Sequence, residues 1–265
     1  MHTTSEQAAT LIWDALQKGT ALAALPADGR PGTREEGYTV QAWLPGLAGL
    51  DTMGWKIAAT SLAGQRHIGV AGPLAGRILS AFVHGDGATV SLHGNRMLVA
   101  EPEFGFWFGR DLPPRPDPYS LARVLDAVQR VVPVIEVPNS RFTDFAHAGE
   151  AQLIADLACA GHFLVGGATG ARWREIDFPV HPVRALVTRD GAPAVQRDGT
   201  GAAVLGDPRV ALAWLVNELS GLGITLEAGQ FVSTGTCMPP LEVQAGDAVL
   251  ADFGALGQVS ARFCG

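Results

Sequence analysis

The run Met97-Leu98-Val99-Ala100-Glu101-Pro102-Glu103-Phe104-Gly105-Phe106-Trp107-Phe108 is apolar apart from two glutamates, which marks it as a strand buried within a sheet. Strand side chains alternate between faces, so Glu101 and Glu103 point the same way. Two neighbouring carboxylates in apolar surroundings repel each other and resist desolvation. They call for a compensating cation or a shared proton. A third acid, Glu136, lies in a similar run, Val131-Val132-Pro133-Val134-Ile135-Glu136-Val137. Three inward carboxylates suit a hard divalent ion, Mg2+ or Mn2+. The alternative, acids on solvated strand faces, is disfavoured by the apolar neighbours on both sides. Pro102 has no N–H for a ladder, so the strand is expected to lie at an edge or to bulge there, and bulges are common beside active sites.

The chain has 265 residues, enough for one large domain or two small ones. Its 47% hydrophobic and 17% charged content indicates a globular protein with a substantial core. The 33 glycines and 17 prolines imply many turns and no dominance of helix. A net charge of −7 argues against nucleic acid or anionic membrane as a partner. It also means that an acidic small substrate needs a local positive site. Cys159, Cys237 and Cys264 are far apart and lack metal-type spacing, which fits a reducing compartment. The start, Met1-His2-Thr3-Thr4-Ser5-Glu6, is polar, with neither a basic region nor an apolar core, and no transmembrane run is present. A cytoplasmic protein is the expectation.

Thr4-Ser5-Glu6-Gln7 fits a capping box, and a helix with Ala8, Leu11, Ile12 and Leu16 at helical spacing follows, up to Gly19. A Pro/Gly-rich loop precedes a second helix over Arg34 to Leu44. Met53 to Ala59 reads as a strand, and Ser61 to His67 as a loop or short helix. Strands follow at Ile78 to His84, Ala88 to His93 and Leu98 to Phe108. Helices are expected over Pro118 to Val131 and Glu150 to Ala160. An Arg-Asp-Gly-Ala-Pro turn joins strands at Val183 to Val187 and Ala194 to Gln196. Asp207-Pro208 opens a helix through Leu219, and strands close the chain at Gln230 to Ser233, Asp247 to Phe253 and Gln258 to Phe263. A mainly helical part (1–75) thus precedes a strand-rich body (76–265), the two forming one compact unit. Strands and helices do not alternate, so the fold class is mixed α+β rather than a doubly wound sheet.

Lys56 lies in Gly54-Trp55-Lys56-Ile57-Ala58-Ala59, where a lysine is unusual. It suits pairing with a carboxylate or proton transfer; a snorkelling surface lysine is equally consistent with the pattern. Arg141 suits either an acid substrate or a structural ion pair with Asp144 or another acid, and the structural role is favoured. Asp156, in Ile154-Ala155-Asp156-Leu157-Ala158, is either aimed at the site or an exposed helix position. Ser233-Thr234-Gly235-Thr236-Cys237 ends a strand in small polar groups that can donate to a substrate carboxylate. The seven histidines show no zinc spacing, and no P-loop, nucleophile elbow or dinucleotide fingerprint is present. Cys237 has no defined histidine partner and ranks well below the metal reading as a nucleophile.

These segments together resemble the fumarylacetoacetate hydrolase superfamily, in particular its branch of 2-keto-4-pentenoate hydratases and 2-oxo-3-hexenedioate decarboxylases. The similarity runs through most of the chain. It rests on Tyr38-Thr39-Val40-Gln41, Gly54-Trp55-Lys56-Ile57-Ala58-Ala59-Thr60-Ser61, Glu101-Pro102-Glu103-Phe104-Gly105-Phe106, Ile135-Glu136-Val137-Pro138-Asn139-Ser140-Arg141, Ile154-Ala155-Asp156, Ala213-Trp214-Leu215-Val216-Asn217, Gly246-Asp247 and Phe253-Gly254-Ala255-Leu256-Gly257. Their order and spacing make the combination specific. The resemblance implies a mixed β-roll with flanking helices, Mg2+ (or Mn2+) held by Glu101, Glu103 and Glu136, a catalytic Lys56, and homo-oligomers built from dimers. Asp156 is carried as a second catalytic candidate, and Ser61, Gln65, Thr234 and Thr236 as substrate contacts. The implied reaction is hydration of a 2-hydroxy-2,4-dienoate to a 4-hydroxy-2-oxo acid, with the metal as Lewis acid and Lys56 assisting ketonisation. The alternatives are decarboxylation of a 2-oxo-3-hexenedioate, hydrolysis of an acylpyruvate with His67, His84 or His147 near the metal, and an inactive oxo-acid-binding paralogue. Four departures from the pattern, Ala58, Leu74, Pro102 and Leu157, bear on the substrate more than on the metal.

Overall fold

The computed structural model describes residues 4–265, so the reading of the first three residues lies outside the described residues. Helix α1 (Ser5–Lys18) opens with the expected capping box: the Thr4 hydroxyl accepts the Gln7 N–H at 3.2 Å, and Gln7 Oε1 accepts the Thr4 N–H at 2.8 Å. A second box, Thr33 with Glu36, opens α2 (Arg34–Ala48), which runs a turn beyond Leu44 and through Pro45. Strand β1 (Thr52–Ala58), helix α3 (Leu62–Ile68) and strands β2 (Leu74–Leu79), β3 (Val83–Gly85), β4 (Thr89–Ser91) and β5 (Val99–Phe108) follow. Then come α4 (Leu121–Ala127), β6 (Val128–Val137), α5 (Glu150–Ala155), β7 (His162–Val165), β8 (Pro182–Arg189) and β9 (Ala192–Thr200). Helix α6 (Pro208–Gly221) and strands β10 (Phe231–Thr236), β11 (Leu241–Glu242), β12 (Ala248–Asp252) and β13 (Gln258–Cys264) complete the chain.

Among the described residues the strands form two mixed sheets. One has the order β2-β1-β10-β5-β6-β7-β3, with β11 also on β5; the other has the order β4-β13-β12-β8-β9. Most neighbours are antiparallel, but β1–β10, β3–β7 and β4–β13 are parallel. The mixed α+β class is therefore observed. Strand β1, from the part expected to be mainly helical, and β2, which straddles the expected boundary at residue 75, belong to the larger sheet. No helix of the described residues is long and apolar enough to cross a membrane.

Three sequence expectations need correction. The helix read over Pro118 to Val131 stops at Ala127, because Val128, Val131, Val132 and Val134 are β-branched and pair with β5. The helix read over Glu150 to Ala160 stops at Ala155: Leu157, Ala158 and Cys159 all take left-handed backbone, at φ +55°, +50° and +62°. The strand read over Ile78 to His84 is two strands split by a single 3-10 turn at Ser80–Phe82. The short strand β7 has only four residues and escaped the periodicity reading.

Strand β5 is buried on both faces. Phe104, Phe106 and Phe108 are fully buried on one, where Phe104 meets Phe178 and Phe253 edge-on with centroids 5.2 Å apart in each pair. Such a cluster fixes the strand, since truncating one buried phenylalanine costs about 3–5 kcal/mol. The opposite face carries Glu101 and Glu103.

Candidate active site

Four adjacent strands deliver the site. In the β5–β6 register Glu101 stands directly opposite Glu136, Pro102 opposite Ile135 and Glu103 opposite Val134. On the other side of β5, β10 pairs Ser233 with Gly105 and then Thr236 with Glu103. That is three steps on β10 against two on β5, so β10 carries a bulge of one residue. Gly235 occupies it at φ +98°, where a Cβ would stand 2.1 Å from Thr60 Oγ1, so only glycine fits. The bulge turns the Gly235 N–H onto Glu103 Oε2 at 2.8 Å, and Ser233 Oγ donates to the same oxygen at 2.6 Å. Beyond β10, Lys56 of β1 pairs with Ser233.

Pro102 fits this arrangement in a way the sequence did not disclose. Strand β5 is not at an edge, and the bulge lies on its neighbour. The Cys237 N–H donates to the Pro102 carbonyl at 2.9 Å, but Pro102 has no N–H to return. The Cys237 carbonyl instead accepts the Thr200 N–H at 3.1 Å, tying the end of β9 to the larger sheet.

Glu101, Glu103 and Glu136 each offer an oxygen within 4.8 Å of the others'. Glu103 Oε1 and Glu136 Oε2 have no hydrogen-bond partner, and Glu136 Oε1 has only the Lys56 ammonium beside it, although Glu103 is 1% and Glu136 0% exposed. The buried Lys56 ammonium stands 3.0 Å from Glu136 Oε1 as an ion pair and donates its hydrogen bond to the Ala158 carbonyl at 2.9 Å. With every group ionised, three carboxylates and one ammonium sum to −2. Orphaned hard oxygen donors with that net charge fit a divalent cation.

The electrostatics agree. Burial pushes the Glu101 carboxyl up to about 7, Glu103 adds to the rise and Lys56 opposes it. Burial also lifts Glu103, against the pull of Lys56, Ser233 and Gly235, and lifts Glu136 well above the carboxylate range. For Lys56, burial works downward, but Glu136 and then Glu101 outweigh it, so the ammonium is held above its usual value. Carboxyls raised in the fold bind protons more tightly there than in the unfolded chain. Their stabilising contribution is complete below the unfolded value and is lost as pH rises through the folded one, near 7 for Glu101. A divalent ion competes with those protons. Added Mg2+ is therefore expected to raise Tm more at pH 8 than at pH 5.5 in a thermal-shift titration; equal shifts would contradict the trio as its site.

A cavity of about 790 Å³ opens over this face, lined by Lys56, Glu101, Thr60, Ser61 and Thr236 on its polar side. Among the sequence candidates, Ser61 caps α3 through the Gly64 N–H at 3.0 Å, and Thr236 Oγ1 donates to the Met238 carbonyl at 2.8 Å. Thr234 and Gln65 do not line the cavity: their side chains donate to the carbonyls of Phe104 and Ala59, each at 3.1 Å. Asp156 also lies away from the cavity wall. It accepts from Ser140 Oγ at 2.7 Å and the Arg141 N–H at 2.9 Å, and it pairs with the Arg141 guanidinium. Arg141 thus has the structural role expected of it, with Asp156 rather than Asp144. Together they pin the left-handed turn at 157–159, whose Ala158 carbonyl holds Lys56. Gly76 lets that turn approach β2, since a Cβ would stand 1.9 Å from the Leu157 carbonyl oxygen.

Sequence reasoning missed three features. Ser233 and Gly235, read as donors to a substrate, hold Glu103 instead. Thr60, nearly buried, lines the cavity. The Ala158 carbonyl anchors Lys56, and no side-chain pattern signals a carbonyl. Of the histidines named for the hydrolase alternative, His67 lines the cavity, whereas His84 meets His162 at 2.9 Å and His147 pairs with Asp144 in solvent. Cys159 and Cys237 line the wall as neutral thiols: burial pushes Cys159 up to about 12 and Cys237 well above its ordinary value.

Residues 78–264 match the family model for the C-terminal domain of fumarylacetoacetate (FAA) hydrolase. A 2-keto-4-pentenoate hydratase of Paraburkholderia xenovorans is 31% identical over 261 residues, covering 97% of this chain and 94% of its own. 2-Keto-4-pentenoate hydratase 1 of Dechloromonas aromatica is 32% identical over 264 residues, covering 98% and 97%. The solved structure of 4-oxalocrotonate decarboxylase from Pseudomonas putida G7, complexed with magnesium and adipate, superposes with a TM-score of 0.84 at 27% identity, covering 98% of this chain and 97% of that one. With the glutamate trio, its lysine and the two mixed sheets already in view, these matches show that the chain belongs to the fumarylacetoacetate hydrolase family.

Proposed function

We propose that the protein is a metal-dependent hydratase that adds water to a 2-hydroxy-2,4-dienoate to give a 4-hydroxy-2-oxo acid. The observation that carries this reading is a largely buried Glu101–Glu103–Glu136–Lys56 group, left with two unbalanced negative charges, facing a cavity in which, among the described residues, Lys56 is the one lysine or arginine of the wall. Full-length likeness to hydratases supports it. The donor set of Glu101, Glu103 and Glu136 fits Mg2+, the ion that the decarboxylase neighbour holds. Lewis-acid stabilisation of negative charge on the 2-oxygen of an enolate is the chemistry that a bound divalent ion supplies there.

The chain's own residues supply the rest. Lys56, kept protonated by its carboxylate neighbours and fixed by Ala158, is placed to donate a proton when the dienol becomes the unsaturated ketone. Thr60, Ser61 and Thr236 offer hydroxyls on the polar side of the cavity. Ser233 and Gly235 keep Glu103 from turning away. Asp156 and Arg141 act through the 157–159 turn and so position Lys56 rather than touch substrate.

Decarboxylation of a 2-oxo diacid calls for a cation at the far end of the cavity. Lys56 is the one lysine or arginine among the described wall residues, and Asp198 is already paired with Arg184 in solvent, so hydration is the better-supported reaction. The test is ultraviolet loss of 2-hydroxypenta-2,4-dienoate with Mg2+, beside 2-oxo-3-hexenedioate. Formation of 4-hydroxy-2-oxopentanoate with no carbon dioxide from the diacid is the expected result. Carbon dioxide release from the diacid with no loss of the dienoate would replace hydration by decarboxylation.

A further inference from the structure

The cavity is larger than a short dienoate needs, and its chemistry is uneven. Its 790 Å³ falls among sites that take drug-sized ligands, roughly 300–1,000 Å³. The charged groups are Lys56 and Glu101 on the sheet face and Asp198 on the wall. Much of the remaining wall is apolar: Met97, Phe145, Ala203, Met238, Pro239 and Pro240. Met238 is 3% exposed, so its thioether is packed inside the wall, and a flexible methionine can re-pack around different shapes. Pro239 and Pro240 give this part of the wall a stiff backbone. Asp198, the last charged residue of β9, pairs with Arg184 at 2.8 Å in solvent. That pair offsets its charge, so what opposes an anionic tail is the apolar wall itself, which offers a second carboxylate no partner.

We infer that the preferred substrate is a monocarboxylic 2-hydroxy-2,4-dienoate with an extended apolar substituent, alkyl or aryl, beyond the diene, held by the Met97–Phe145–Met238–Pro239–Pro240 wall, and that this wall, with no partner for a second carboxylate, disfavours the matching diacid. This rests on the hydratase reading only in placing the 2-oxo acid head at the glutamate–lysine group. The apolar wall takes the tail out of water, and two fully buried methylene groups are worth about tenfold in affinity.

The test measures Kd by calorimetry on the Mg2+-loaded protein for three saturated acids: 2-oxopentanoate, 2-oxooctanoate and 2-oxooctanedioate. 2-Oxooctanoate is expected to bind at least tenfold tighter than 2-oxopentanoate, and at least tenfold tighter than the diacid. Met238→Asn should remove most of the first gap, and Met238→Lys should narrow the second at least threefold. Equal affinity for the two monoacids, or preference for the diacid, overturns the inference. Turnover of 2-hydroxypenta-2,4-dienoate in the same preparation is read separately. Turnover without a tail effect overturns this inference alone. A tail effect without turnover upholds the apolar subsite and overturns the hydration reading alone.

Discussion

Glu103→Gln is expected to lower the hydration rate on the order of a thousandfold while leaving the fold intact. The two bonds that orient this side chain end on one oxygen: Ser233 Oγ and the Gly235 N–H both donate to Oε2. A glutamine carbonyl accepts both, so the rotamer is kept. The change falls on Oε1, the orphaned oxygen turned toward the other carboxylates, which an NH2 group replaces. The trio then loses one negative charge and one hard donor, and Mg2+ affinity should fall with the rate. The metal-free variant supplies the control for misfolding. Removing one of three mutually repelling carboxylates should leave its Tm at pH 8 equal to or above that of the parent. Full activity with full metal content in Glu103→Gln would remove Glu103 from the metal site.

Lys56→Met is expected to reduce kcat about a hundredfold to ten-thousandfold, but through a different loss. Here the donor set stays whole and its compensating cation goes. Mg2+ should bind at least as tightly, because the three carboxylates no longer share their charge with an ammonium. The metal-free protein should lose about 3 kcal/mol of stability, the consequence of stripping a buried ion pair of one partner. Mg2+ should restore that stability without restoring the rate. Lys56→Arg should not rescue turnover either, since a guanidinium does not give up its proton and is too large and planar for the niche at the Ala158 carbonyl. A Lys56→Met enzyme within threefold of the parent kcat would reduce Lys56 to a structural counter-ion.

The sequence made the acids legible because their pattern is local. Period-two alternation put Glu101 and Glu103 on one face, and the structure has them there, with Glu101 opposite Glu136. Lys56 was legible as an anomaly, a charge inside an apolar strand, but the pattern left open a surface role that only burial excludes. Pro102 was legible as an obstacle and misread as to where it would be resolved. The bulge sits on β10 because the pairing of residues far apart in sequence, Cys237 with both Pro102 and Thr200, settles it. The turn at 157–159 was read as helix because its residues have ordinary side chains; three successive left-handed conformations are imposed by Asp156 and Arg141 from outside the turn. The Ser233–Thr236 segment is a row of donors, as its residue types imply, but Ser233 and Gly235 turn theirs to Glu103, a partner that nothing local discloses. What failed, in each case, was information about tertiary partners rather than about residue type.

The most direct test of the central claim is to strip the protein with EDTA and follow 2-hydroxypenta-2,4-dienoate by its ultraviolet absorbance while Mg2+ is returned, in the parent and in Glu103→Gln. The expected result is no hydration by the stripped parent, full recovery as one Mg2+ per chain binds, 4-hydroxy-2-oxopentanoate as product, and no comparable recovery in the variant. Undiminished hydration by the stripped parent, or equal recovery in the variant, would contradict the assignment of Glu101, Glu103 and Glu136 as the metal-holding heart of a hydratase.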